Sequence, residues 1–63
     1  MFELTHEERN RFAEWLEKDA VSTEGLIEQM MKIPRMETII KIKRIEVSAQ
    51  RIVAKMLRSV EDG

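Results

Sequence analysis

Lys32-Ile33-Pro34-Arg35-Met36 is the stretch that decides how this chain folds. Proline disfavours the helical region for the residue before it and suits the first turn of a new helix. Lys32–Pro34 therefore reads as a turn between a helix over about 6–32 and a second over about 34–60. Gly25 and Gly63 are the only glycines and Pro34 the only proline, so little else punctuates the chain. Two helices of nearly equal length predict an all-α fold, one domain over 1–63: an antiparallel helical hairpin that assembles into an oligomeric helical bundle. A single long helix kinked at Pro34 and paired with another chain is the alternative.

Working towards the N-terminus, the first helix has a marked start. Thr5 is a good N-cap and Glu8 stands three residues on, the spacing of a reciprocal capping box. Ala13, Leu16, Ala20, Thr23, Ile27 and Met30 then step by alternating threes and fours, as one apolar seam does. Phe12 lies on the same side, and Trp15 lies at its edge. Val21-Ser22-Thr23-Glu24-Gly25 is poor in helix formers. The seam keeps its phase through it, which predicts one helix, bent at most near Ser22–Gly25.

Towards the C-terminus, Ile39, Ile42, Ile45, Ala49, Ile52, Val53, Met56, Leu57 and Val60 form a broad stripe, read as the packing face of the second helix. On this reading Leu16→Asp or Ile52→Asp would each place an unpaired charge in the core and abolish folding. Met36, Ile40, Val47 and Ala54 lie off that face. Together with Trp15 they are expected to form a surface that meets another chain. Met30, Met31 and Met36 cluster near the turn, where methionine serves as adaptable filler.

Charge is divided between the halves. Residues 1–28 hold eight acids against three bases, and residues 29–63 hold eight bases against four acids. An acidic helix facing a basic one complements it in an antiparallel bundle. Lys41, Arg44, Arg51, Lys55 and Arg58 share one sector away from the isoleucine stripe, at about 100° per residue. That row is the candidate binding surface, for an acidic protein partner or a phosphate-bearing small ligand.

Composition narrows the function class. A chain of 63 residues without cysteine has no disulfide to staple a small core, so association is the expected stabiliser. His6 alone offers no zinc site, and no glycine-rich phosphate loop or nucleophile–base spacing occurs. No enzymatic activity, catalytic residue, metal or cofactor is expected. Net charge −1 with two Phe and one Trp gives neither a basic footprint nor a stacking platform for nucleic acid. No stretch approaches the roughly 20 apolar residues of a membrane span, and Met1–Thr5 lacks an export signal, so a cytoplasmic protein is expected.

Two stretches carry a resemblance. Glu8-Arg9-Asn10-Arg11-Phe12-Ala13-Glu14-Trp15-Leu16-Glu17 and Ala49-Gln50-Arg51-Ile52-Val53-Ala54-Lys55-Met56-Leu57-Arg58 together cover about a third of the chain. They are similar to segments of small helical proteins encoded by phages and prophages. The resemblance implies a compact accessory inhibitor that blocks a host defence protein in the host cytoplasm. Ile33-Pro34 followed by Ile40 to Ala54 also resembles the phage sponges that capture cyclic nucleotides in anti-CBASS counter-defence, which are helical oligomers with sites between chains. This chain lacks their Ser/Thr-rich segment and the tryptophan of their second helix, and none of their ligand-contacting residues carries over. An assembly element without ligand completes the alternatives.

Overall fold

The computed structural model describes residues 3–59, and they form two helices: α1 (His6–Met30) and α2 (Glu37–Ser59). They pack side by side as an antiparallel hairpin, in a rod of 50 × 17 × 16 Å. The expected hairpin is present. The expected extent of the second helix to residue 60 falls outside the described residues.

α1 starts as its sequence dictates. The Thr5 hydroxyl accepts from the Glu8 amide at 3.1 Å, and the Thr5 amide donates to Glu8 Oε1 at 2.9 Å, closing the capping box. The helix runs unbroken through Val21–Gly25. Two observations explain why. A side chain at Gly25 would meet nothing within 4 Å, so the glycine marks no turn or close approach there. Ala20 and Ile27, on either side, are both buried against α2, and their packing outweighs the local propensity deficit.

The turn is longer than the sequence suggests. α1 ends at Met30, and Met31 caps it, with Lys32 and Ile33 amides donating back to Gln29 and Met30 carbonyls at 3.2 and 3.0 Å. Pro34 lies within the reversal and not in the first turn of α2. Arg35 adopts φ 66°, the left-handed region, and this residue redirects the chain. The first helical bond of α2 runs from the Ile40 amide to the Met36 carbonyl at 2.9 Å.

The core corrects the assignment of faces on α2. Ala20, Ile27, Met30 and Val47 form one buried cluster near the turn, with Met36 and Ile40 packed on it. Ala13, Leu16 and Ala54 form a second towards the open end, with Leu57 on it. Met36, Ile40, Val47 and Ala54, expected to face another chain, therefore face α1. The isoleucine stripe expected to face α1 points outward instead. Size and charge both account for this. The buried seam of α1 carries Ala13 and Ala20, whose small side chains bring the helices close and fit Val47 and Ala54 opposite. The same rotation of α2 brings Arg51 to Glu24 and Arg58 to Glu17 in ion pairs, the latter at 2.6 Å.

Candidate interaction surface

The hairpin has two unlike flanks and one outward face. Along one flank Glu17 and Glu24 of α1 and the capping residue Met31 follow each other at seven-residue intervals, and Arg58, Arg51 and Arg44 do so in reverse on α2. Antiparallel packing brings the two sets opposite. Arg58 Nη1 donates to Glu17 Oε1, Arg51 pairs with Glu24, and Arg44 Nη2 approaches Met31 Sδ at 3.7 Å. On the other flank the Gln50 amide donates to Asp19 Oδ2 at 2.5 Å, while Gln50 Oε1 is buried without a partner among the described residues.

This geometry divides the basic row of Lys41, Arg44, Arg51, Lys55 and Arg58. Arg51 and Arg58 are committed to glutamates within the hairpin. Lys41 and Lys55 are exposed and make no ion pair among the described residues. A shallow groove near the turn is lined by Glu24, Glu28, Arg44, Ser48 and Arg51 above Ile27 and Val47. Its two acids balance its two bases, so it presents no surplus positive charge to a phosphate.

Trp15 is 60% exposed, with its ring centroid 6.1 Å from that of Phe12. Glu14 and Lys18, one turn apart beside it, pair at 3.0 Å. The hydrogen bond from Lys18 and its charge hold the Glu14 carboxyl below its usual range.

The largest feature is the outward face of α2. Ile45 is 69% exposed, Met56 61%, Ile52 59% and Ile42 57%, whereas Ile39 and Val53 at its edge are 44% and 41%. The four most exposed, with exposed Ala49 between them, step by 3, 4, 3 and 4 along Ile42, Ile45, Ala49, Ile52 and Met56. That is the spacing of a and d positions in a heptad. Sequence reasoning found these side chains but assigned them inward, because the stronger of two stripes is ordinarily the buried one. The overlooked signal is the matched seven-residue spacing of Glu17 and Glu24 with Arg58 and Arg51. These four residues pair in the structure, so their spacing marks the side of α2 that meets α1.

Among the described residues no cluster of His, Cys, Asp and Glu could hold a metal ion, and no helix is long and apolar enough to cross a membrane. No family model, curated protein or solved structure matches this chain.

Proposed function

We propose that this protein acts by binding and not by chemistry: it is a small helical interaction protein that docks a helix of another polypeptide along the outward face of α2. One observation carries the reading. The hairpin keeps its weaker apolar stripe inside and leaves Ile42, Ile45, Ile52 and Met56 more than half exposed in one straight seam. Single exposed apolar side chains are ordinary, but a contiguous patch of this size marks an interaction site. A phage-type accessory inhibitor of a host defence protein, working in the cytoplasm, belongs to this class.

A sponge for a phosphate-bearing signal draws less support, since Arg51 and Arg58 already serve Glu24 and Glu17. The test is co-expression of two differently tagged copies in a bacterial cell, comparing the natural chain with Ile45→Glu/Ile52→Glu. The natural chain should retain a polypeptide, either the other copy or a host protein, that the double variant loses while keeping its helicity. Retention of every companion by a helical double variant would remove the outward face from consideration.

A further inference from the structure

We infer that the occupant of the outward face is the same face of further copies of this chain, with the α2 helices side by side and parallel. This rests on the reading of that face as a helix-docking surface and names its partner. The seam is self-complementary in the sense a coiled coil requires, with apolar residues repeating every three and four positions for four steps. Its area is adequate. Six side chains from Ile39 to Met56 are each about half exposed. They offer on the order of 100 Å² apiece, about 600 Å² per copy, against roughly 800 Å² per partner in a standard stable interface before flanking residues are counted.

Charge at the seam's edges selects the orientation. With Ile42, Ala49 and Met56 as the a positions of the heptad and Ile45 and Ile52 as d, Lys41, Ser48 and Lys55 occupy one edge (g). Ile39, Glu46 and Val53 occupy the other (e). Parallel packing sets the g edge of one copy against the e edge of the next. Lys41, which has no ion pair among the described residues, then meets Glu46 of the neighbouring copy, five residues further along. Among the described residues Glu46 is held only by Lys43 on its own helix, at 3.4 Å. Antiparallel packing sets like edges together and brings Lys41 against Lys55 of the other copy, a repulsive contact. Isoleucine at both d positions, and apolar Ile39 and Val53 at e, favour three or more strands over two.

The absence of native cysteine makes the test direct. Thr38 and Ser59 continue the d positions beyond the two ends of the apolar seam, so neither replacement alters it. Under mild oxidation Thr38→Cys alone and Ser59→Cys alone should each form disulfide-linked pairs, and a refolded mixture should form no link between the two positions. Links predominantly between positions 38 and 59 would overturn the parallel arrangement. Sedimentation equilibrium of the natural chain should give at least three times its 7.5 kDa, and Ile45→Glu/Ile52→Glu should give 7.5 kDa. A monomeric natural chain that still captures a host protein would overturn this inference while leaving the docking surface in place. A two-copy species would overturn the strand number. Lys41→Glu should weaken the assembly and Lys41→Glu/Glu46→Lys should restore it; no change in either would remove the edge argument.

Discussion

Exchanging one side chain for aspartate at Val47, and then at Ile45, tests the orientation of α2 about its own axis. Val47 is 6% exposed and packs with Ala20, Ile27 and Met30. Removing it forfeits about 1.5–3 kcal/mol of apolar burial. The new carboxylate would lie unpaired against those side chains, at a further cost of several kcal/mol. A chain of 63 residues has about 3–9 kcal/mol of stability in all. Val47→Asp should therefore unfold most of the protein at any concentration. Ile45, two residues away, is 69% exposed, so the hairpin itself loses less than about 1 kcal/mol in Ile45→Asp. Its effect should appear in self-association. Far-UV circular dichroism over a dilution series, with sedimentation of the same samples, reads both. Native helicity in Val47→Asp together with its loss in Ile45→Asp would mean that α2 is rotated, with its isoleucines inward.

Arg35→Gly should stabilise the hairpin by about 1 kcal/mol, since glycine occupies the left-handed region without the Cβ penalty; differential scanning calorimetry should show a rise of about 4–8 °C in Tm. Arg51→Ala and Arg58→Ala should each cost no more than about 1 kcal/mol, because both ion pairs are roughly half exposed. Reversing both arginines to glutamate should lower the melt further, and arginine at positions 17 and 24 should restore it. Thr5→Ala should cost about 1 kcal/mol of stability by chemical denaturation. The Glu8 carboxyl is held below its usual range by the Thr5 backbone amide first and the Thr5 hydroxyl second. A depressed carboxylate contributes stability above its unfolded pKa and loses it as pH falls through the folded value. NMR titration should find the Glu8 pKa raised towards its ordinary value in Thr5→Ala, and acid should fray the start of α1 less sharply in Glu8→Gln.

Much of this structure is legible in the residues themselves. The capping box at Thr5 and Glu8 and the seam from Ala13 to Met30 are local patterns and appear where their spacing places them, whereas the reversal around Pro34 extends to Met36, beyond the turn its sequence suggests. The packing side of α2 is harder to read. Hydrophobicity points to Ile42, Ile45 and Ile52, but which stripe meets α1 depends on what α1 offers across the interface. Ala13 and Ala20 accept small partners, and Glu17 and Glu24 pair with the arginines beside them. That information is shared between two helices and cannot be read from either alone. The same dependence split the basic row: five bases share a sector, and only the opposing helix decides that Arg51 and Arg58 are neutralised while Lys41 and Lys55 are left to solvent.

The antiparallel hairpin also fixes the pole at which the chain enters and leaves. Thr5 caps the beginning of α1 beside the end of α2, where Arg58 reaches Glu17 and Leu57 packs on the cluster of Ala13, Leu16 and Ala54, while the reversal at Pro34 and Arg35 lies at the far pole of the 50 Å rod. A unit whose two ends share a pole can be spliced into a surface loop of another protein without stretching either sequence. Grafted this way, the hairpin would stand out from its host as a spike with the seam of α2 along one side. A carrier bearing it would be a ready means of offering that seam at chosen density.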